Sequence, residues 1–289
     1  MGLTAVEGDS MRVGAMQIKK AAGALGVDVT GLDLTRMAGD PGVTSEVRRL
    51  VTENGVAFFR GQTMTEDQYA ASIRQLGEIM PHDAYGTTGS EQVVQVLEST
   101  PEKPTLIELW HTDMTFSSHP PSFTVLYADI LPAYGGDTMW ASCSAAFNAL
   151  SDSMRGFLLS LRAVHDFRHG FRESLAAPGG AARLASVVAA NPPVSHPVIR
   201  THPETGVKGI YVNPLFTTHI EGLTREESDA LLAMLYDHVV TPEFTVRLKW
   251  EPGTVAMWDN RITQHKPVND YFPQHRRMLR ITIKGDKPV

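Results

Sequence analysis

The chain has 289 residues, of which 42% are hydrophobic and 20% are charged, a composition typical of a soluble globular protein. Its 26 basic and 32 acidic residues give a net charge of -6, which argues against a nucleic-acid-binding protein because such proteins carry a basic face. A single cysteine, Cys143, excludes an intrachain disulfide framework and a cysteine-rich zinc site. Neither a membrane-spanning apolar run nor a signal-peptide pattern is present, so we predict a cytoplasmic protein with no membrane partner.

Hydrophobic periodicity predicts a β-rich domain with a few helices. Residues 1–14 lack periodicity and are predicted to form a loose leader before a single domain over 15–289. The predicted strands, in chain order, are 25–29, 56–59, 93–97, 123–131, 163–167, 244–250, 255–258 and 276–283. The predicted helices cover about 45–54, Thr65 to Leu76, 154–161 and Thr224 to about Val240, the second and fourth beginning at capping boxes.

The order of these elements favours a β-sandwich or jelly-roll core with helices packed outside, because strands outnumber helices and do not alternate with them. Two segments are candidates for lids over a site. The first is the polar, glycine-containing loop 81–89. The second is 168–192, which is rich in alanine, glycine and arginine and is predicted to be a mobile excursion.

A candidate metal site lies in the segment Trp110-His111-Thr112-Asp113. Alternate residues of an extended segment point to the same side, so His111 and Asp113 can contact one cation. A third ligand must come from elsewhere, and His265, just after a predicted strand, is the best candidate. Two histidines and one carboxylate that leave positions open are the ligand set of non-haem Fe(II) oxygenases, although a His-x-Asp triplet alone occurs in many chains without a metal.

The last predicted strand places Arg276, Met278 and Arg280 on one face, because these residues are two apart. Arginines on an inner face need partners such as carboxylates or other oxyanions, whereas on an outer face they are ordinary surface residues. Leu279 and Ile281 lie on the opposite face, so the sequence leaves the orientation of this strand open.

Several motifs occur together along the chain. They are Trp-His-Thr-Asp at 110–113, Gly-Gly-Asp-Thr at 135–138, His-Asp-Phe-Arg at 165–168, Trp-Asp-Asn-Arg-Ile-Thr-Gln-His at 258–265, Pro-Gln-His-Arg-Arg-Met-Leu-Arg at 273–280 and Gly-Asp-Lys-Pro at 285–288. In this combination the chain resembles the taurine dioxygenases, in the taurine/2,4-dichlorophenoxyacetate group of Fe(II)- and 2-oxoglutarate-dependent dioxygenases. The resemblance extends from about Gln17 to the C-terminus.

The resemblance implies a double-stranded β-helix, which is a jelly-roll core, with helices against it. It also implies that His111, Asp113 and His265 bind Fe(II) and form the catalytic centre, where O2 reacts. Arg276 matches the family arginine that pairs with the far carboxylate of 2-oxoglutarate. Thr138 matches the threonine that supports the same carboxylate.

The resemblance also implies a substrate site. Arg280 matches the arginine that grips the taurine sulfonate. His82 and Tyr85 match a histidine and a tyrosine at the same pocket. Phe167 and Phe216 match its apolar walls.

Ile107 departs from the family pattern, because taurine dioxygenase has an asparagine near the substrate at this position, three residues before Trp110. The change makes the substrate pocket more apolar. The implied reaction is hydroxylation of the carbon next to sulfur in taurine or a related small sulfonate, which releases sulfite and an aldehyde with succinate and CO2. The alternative is the same chemistry on an alkyl sulfate or an aryloxyalkanoate.

Two alternatives from other classes stay open. A metal-dependent hydrolase or isomerase would use the same three ligands but would need neither O2 nor Arg276. A non-catalytic binding protein would be expected to lose part of this residue set, which is intact here. We also expect an assembly of identical chains, a dimer or a tetramer, as is common for enzymes of this kind.

Overall fold

Helices and strands are mixed along the computed structural model, which describes residues 10–13, 16–80, 87–102 and 108–289. The strands are β1 (Ser10–Val13), β2 (Met16–Lys20), β3 (Val27–Thr30), β4 (Val56–Phe59), β5 (Thr87–Thr88), β6 (Val94–Ser99), β7 (Phe123–Ile130), β8 (Thr138–Ser142), β9 (Arg162–His165), β10 (Val194–Pro197), β11 (Ile199–Thr201), β12 (Lys208–Ile210), β13 (Thr217–Ile220), β14 (Thr245–Leu248), β15 (Val255–Asp259), β16 (Thr263–Pro267) and β17 (Arg276–Ile283).

The α-helices vary in length from one turn to four. They are α1 (Pro41–Asn54), α2 (Glu66–Ile73), α3 (Cys143–Ala149), α4 (Asp152–Leu158), α5 (Phe167–Gly170), α6 (Arg172–Ala176), α7 (Gly180–Arg183), α8 (Ala185–Ala190) and α9 (Arg225–Val239). Within the described residues, none of the helices combines the length and the apolar character that crossing a membrane requires.

The largest sheet of the described chain has nine strands in the order β1-β2-β3-β4-β15-β7-β17-β6-β5. Its neighbouring strands run antiparallel, except for the parallel pair β3 and β4. A second antiparallel sheet has the order β14-β8-β16. Large antiparallel sheets with helices around them agree with the predicted fold class, although helices make up more of the chain than the sequence predicted.

The two sheets pack against each other through large aromatic side chains. The Trp140 ring of β8 lies 5.6 Å from the Trp258 ring of β15 and 5.3 Å from the Phe58 ring of β4, measured between centroids. All three side chains are buried, and Met278 of β17 joins the same cluster. The other face of the large sheet packs against α1 and α2. The face of β17 that carries the arginines is therefore turned toward the second sheet.

Local signals account for the ends of several elements. Helix α1 begins at Pro41, four residues before its predicted start, because the Asp40 side chain accepts hydrogen bonds from the backbone N–H groups of Gly42 and Val43. The capping boxes predicted for α2 and α9 are confirmed. Strand β17 has the predicted bounds.

Two segments contain elements that the sequence did not indicate. Within the predicted leader 1–14, β1 pairs with β2. The segment 168–192, predicted as a mobile excursion, contains most of four short helices, α5 to α8. They pack through partly buried apolar side chains such as Leu175, Val187 and Val188, an irregular pattern that periodicity over a long window does not detect.

Candidate active site

Two of the predicted metal ligands are brought together by the backbone. His111 forms an isolated antiparallel bridge with His265 of β16: its N–H donates to the His265 carbonyl at 2.9 Å, and the His265 N–H donates to the His111 carbonyl at 2.7 Å. The two imidazole rings lie 4.2 Å apart between centroids. His111 Nδ1 donates to the Leu109 carbonyl at 2.9 Å, which leaves Nε2 with its lone pair available for a cation.

Asp113 completes the cluster. Its Oδ1 atom lies 3.8 Å from His111 Nε2 and 3.9 Å from His265 Nε2. One ligand atom from each of the three residues falls within 4.8 Å of the other two. Asp113 Oδ2 accepts a hydrogen bond of 2.7 Å from Thr124 Oγ1. The structure thus brings together the three residues that the sequence predicted.

The electrostatics of the cluster suit a divalent cation. Burial, followed by the nearby His111, lowers the pKa of His265 to about 3. Burial also lowers the pKa of His111. Burial alone would raise the pKa of Asp113, but the charge of Arg280 and the neighbouring imidazoles hold it well below its ordinary value. Two neutral imidazoles and one carboxylate are the protonation states that metal ligation requires, and this donor set fits Fe(II).

Arg276 and Thr138, the predicted 2-oxoglutarate residues, lie on either side of one tryptophan. The guanidinium carbon of Arg276 is 6.0 Å from the centre of the Trp250 ring, and Trp250 Nε1 donates to Thr138 Oγ1 at 3.0 Å. Arg276 Nε donates to the Gly136 carbonyl at 3.2 Å. Among the described residues, no carboxylate forms an ion pair with this buried arginine. Its surroundings therefore suit an anionic cosubstrate.

The backbone at residue 136 can pass close to the Arg276 side chain because this residue is a glycine. Gly136 has a φ of +70°, and a Cβ atom at this position would lie 3.1 Å from Arg276 Cδ and from Pro132 Cγ. A larger residue would be strained by the backbone conformation and would displace the arginine. The Gly-Gly-Asp-Thr motif thus supplies both the turn and the space beside the guanidinium group.

Arg280, the predicted substrate arginine, lies against the metal cluster. Its Nη2 atom is 2.9 Å from Asp113 Oδ1. Its Nη1 atom donates to the side-chain carbonyl of Gln95 at 3.3 Å, and Gln95 is fully buried on β6. The structure resolves the orientation that the sequence left open, because Arg276 and Arg280 are both buried on the face of β17 that carries Met278.

An aromatic cluster forms one wall beside the histidines. The Phe216 ring lies edge-on to His111 at 6.4 Å between centroids, and Phe116 lies 5.0 Å from Phe216 and 5.1 Å from Phe167. Helix α5 packs closely against this cluster at Gly170. A Cβ atom at this position would lie 2.4 Å from Phe216 Cε1, so only glycine fits. Phe167 and Phe216 therefore lie in one aromatic cluster next to His111, and their role as walls of a substrate pocket stays a prediction.

Several predicted residues lie outside the described part of the chain. They are the substrate candidates His82, Tyr85 and Ile107 and most of the predicted lid 81–89. Sequence reasoning also missed residues that contact the site. Phe116 lies three residues after Asp113 but carried no separate signal, and Gln95 and Thr124 reach the site through sheet pairing. Asn260 stands within the motif at 258–265, but the sequence assigned no role to it.

Three further histidines are buried and have hydrogen-bond partners in the core. His196 Nε2 donates to the carbonyls of Thr115 and Ser117, both at 3.0 Å, and His165 Nδ1 lies 2.9 Å from Thr115 Oγ1. His202 Nε2 lies 3.0 Å from the fully buried Asp259. These contacts make the three histidines hydrogen-bonded core residues.

Comparisons with known proteins agree with the site. The model of the family described as "Taurine catabolism dioxygenase TauD, TfdA family" matches residues 17–282. An alkylsulfatase of Acinetobacter baylyi (strain ATCC 33305 / BD413 / ADP1) is 33% identical over 275 residues, which cover 94% of this chain and 86% of the relative. An alpha-ketoglutarate-dependent sulfate ester dioxygenase of Pseudomonas putida is 32% identical over 279 residues, which cover 95% of this chain and 91% of the relative.

A solved structure is similar over nearly the whole chain. The crystal structure of a taurine dioxygenase from Burkholderia xenovorans aligns with a TM-score of 0.80 and 36% identity, covering 96% of this chain and 91% of that one. The chain therefore belongs to the TauD, TfdA family and is a 2-oxoglutarate-dependent dioxygenase, which uses Fe(II) and O2.

Proposed function

We propose that this enzyme hydroxylates the carbon next to the sulfur group in a small sulfonate, or the equivalent carbon of an alkyl sulfate. The observation that carries the proposal is the placement of Arg280, a buried cation, against Asp113 of the metal cluster. An anionic group held by Arg280 would lie beside the metal cluster. The Phe216 wall would cover the carbon chain of the same substrate.

Fe(II), 2-oxoglutarate and O2 together supply the oxidising chemistry that inserts oxygen into an unactivated C–H bond. Under this proposal His111, Asp113 and His265 would hold Fe(II), the metal that a set of two imidazoles and one carboxylate suits. Arg276 and Thr138 bind and orient the far carboxylate of 2-oxoglutarate through a guanidinium fork and a hydroxyl group.

The two arginines keep the two anions apart. Residues four apart on a strand are about 13 Å apart at ~3.3 Å per residue. Arg276 and Arg280 can therefore bind the cosubstrate and the substrate without competition. The aromatic wall excludes water, so that each ion pair formed in the site is stronger than in solvent.

The proposal also covers the fold around the site. We infer that the nine-stranded sheet and the sheet β14-β8-β16 are the two halves of a double-stranded β-helix. The antiparallel pairing, the aromatic packing between Trp140 and Trp258, and the buried arginine face of β17 support this assignment. In this arrangement His265 of β16 and Arg280 of β17 face the space between the halves.

The product that is released distinguishes a sulfonate from a sulfate ester as the substrate. Anaerobically loaded Fe(II) enzyme is given 2-oxoglutarate, O2 and one member of a panel: taurine, a longer alkanesulfonate, an alkyl sulfate or an aryloxyacetate. Hydroxylation next to sulfur releases sulfite from a sulfonate, whereas hydroxylation of an alkyl sulfate at its ester carbon releases sulfate. An aryloxyacetate yields a phenol.

We expect sulfite or sulfate in equal amounts to succinate. The apolar wall and Ile107 favour a longer alkyl chain over the amine of taurine. A phenol as the main product would move the substrate to the aryloxyalkanoates. Release of any of these products without consumption of O2 would contradict the proposal and favour a hydrolase.

A further inference from the structure

A buried chain of hydrogen bonds runs from the sheet to the rear oxygen of Asp113. Trp258 Nε1 donates to Asn260 Oδ1 at 3.0 Å, and Asn260 Nδ2 donates to Thr124 Oγ1 at 2.7 Å. Thr124 Oγ1 donates in turn to Asp113 Oδ2 at 2.7 Å. Thr124 and Asn260 are 0% exposed and Trp258 is 1% exposed, so water does not compete for these bonds.

The direction of this chain is fixed by the donor at its start. An indole N–H can only donate, so the Asn260 amide must present its oxygen to Trp258 and its nitrogen to Thr124. The Thr124 hydroxyl therefore accepts from Asn260, and its single proton is left for Asp113. An ionised carboxylate can only accept, which agrees with this end of the chain.

The register between two strands brings the members of this hydrogen-bond chain together. Strands β7 and β15 are paired so that Thr124 lies directly opposite Trp258, and Asn260 follows the end of β15. The Trp258 ring also lies 4.7 Å from the His265 ring between centroids. One short stretch of sheet therefore contacts two of the three proposed metal ligands.

The two oxygens of Asp113 have different surroundings. Oδ1 lies 3.8 Å and 3.9 Å from the two histidine Nε2 atoms and 2.9 Å from Arg280 Nη2, whereas Oδ2 accepts a hydrogen bond from Thr124. With Oδ2 accepting from Thr124, Oδ1 is the oxygen of Asp113 that is turned toward the two histidines.

We propose that Thr124 and Asn260 are positioning residues for the metal centre, holding Asp113 Oδ2 so that Oδ1 alone faces the cation. This inference rests on the proposed function, because it takes Asp113 as a metal ligand. Residues that orient ligands in this way affect metal affinity by about 10–100-fold when they are removed.

The test measures Co(II) binding to the metal-free protein. Affinity is obtained by competition with a chromophoric chelator, and the visible absorption of bound Co(II) reports the coordination geometry. We expect Thr124→Val, which replaces the hydroxyl by a methyl group, to weaken Co(II) binding by about 10–100-fold and to change the absorption spectrum. Thr124→Ser keeps the hydroxyl and should bind Co(II) within about threefold of the wild type, since its hydrogen bond to Asp113 is retained.

Asn260→Leu and the double variant test the second link. Because Asn260 reaches Asp113 only through the Thr124 hydroxyl, the double variant should bind Co(II) no more weakly than Thr124→Val alone, a clear departure from additivity. Thr254→Val is the matched control: Thr254 is equally buried, but its hydroxyl accepts a hydrogen bond from Arg60, away from the cluster. Should Thr124→Val fail to fold, Thr124→Ala removes the hydroxyl without adding a methyl group.

Three results of the Co(II) experiment would overturn the proposed role of Thr124 and Asn260. A folded Thr124→Val or Thr124→Ala protein with unchanged Co(II) affinity and spectrum would overturn the inference while leaving the metal site intact. A loss that Thr124→Ser does not restore, or that Thr254→Val reproduces, would assign the effect to packing and overturn it as well. A wild-type protein that binds no Co(II) would remove the proposed metal site and the inference together.

Discussion

The two buried arginines of β17 differ in what surrounds them. Arg280 lies against Asp113, whereas Arg276 lies between the rings of Trp250 and Tyr271, with its Nε donating to Gly136. Burial lowers the pKa of Arg276, and the nearby Tyr271 and Asp137 act in the opposite direction. A carboxylate that accepts two hydrogen bonds from the guanidinium fork would offset part of the cost of burying this charge.

This difference leads to a prediction for Arg276→Gln. We expect the KM for 2-oxoglutarate to rise by one to two orders of magnitude, because a hydrogen bond to a charged group is worth about 1.5–3 kcal/mol. The KM for the organic substrate should change little. Steady-state kinetics with each substrate varied in turn measures both values.

Arg276→Lys is the matched control, because it keeps the charge but loses the fork that binds a carboxylate through two bonds. It should give an intermediate KM for 2-oxoglutarate. If Arg276→Gln instead raised the KM of the organic substrate alone, the assignment of the two arginines would have to be reversed.

At this scale the sequence was informative where a residue type and a spacing define the chemistry. The alternation of His111 and Asp113 predicted that they share a side, and the structure places them together with His265. Thr124 and Gln95 could not be predicted, because they reach the site through pairing between strands that are distant in sequence. Nothing in their immediate neighbours indicates that contact.

Among the elements, the short helices α5 to α8 are the ones that cover the aromatic wall. Phe167 of α5 lies in one apolar cluster with Phe216, and side chains of α6 and α8 pack against it; a Cβ atom at Gly170 would lie 2.4 Å from Phe216 Cε1. The sequence indicated that this segment was unusual and near a site. It did not indicate helices, because single turns leave too few residues for a periodic pattern.

Gly170→Ala tests whether this cover shapes the substrate site. The added methyl group would overlap Phe216, so we expect a loss of stability of about 1–3 kcal/mol and a higher KM for the organic substrate. The KM for 2-oxoglutarate should be less affected, because the wall lies beside His111 rather than beside Arg276. Chemical denaturation and steady-state kinetics measure the two effects.

Gly156→Ala is the control for this substitution. Gly156 lies in α4, and a Cβ atom there would meet no atom within 4 Å. It should raise stability by about 0.5–1 kcal/mol, since alanine is the better helix former. Equal stability and kinetics in the Gly170→Ala and wild-type proteins would show that α5 does not press on the wall.

For the whole molecule, buried neutral histidines link stability to pH. Burial lowers the pKa of His196 to about 4 and holds the pKa of His165 well below its ordinary value. In the unfolded chain both would titrate near their ordinary value of about 6.5. Between about pH 6.5 and 4 the unfolded state therefore binds more protons, and the folded state loses stability as the pH falls.

The expected slope is up to about 1.4 kcal/mol per pH unit for each such histidine. Denaturant unfolding of the metal-free protein from pH 7.5 to 5 should show this loss. His196→Gln should have a shallower slope by about one proton, because glutamine does not titrate while its amide can still donate to the same carbonyls. An identical slope in the variant would mean that His196 is protonated in the folded protein.

The broad fold was predictable from period-two strands, capping boxes and the C-terminal strand, and the structure agrees at β14, α9 and β17. The parallel pairing of β3 with β4 and the place of β1 at the edge of the large sheet were not. Such features are decided by contacts between distant parts of the chain, which local periodicity does not report.

Substrate-dependent formation of succinate from 2-oxoglutarate, by the Fe(II)-loaded wild-type enzyme and by His265→Ala, tests the proposed metal site and substrate class together. We expect a sulfonate or an alkyl sulfate to stimulate succinate formation in the wild type, and we expect almost none from His265→Ala, folded but lacking one proposed ligand. Equal succinate formation by the two proteins, or none by the wild type with any member of the substrate panel, would contradict the proposal.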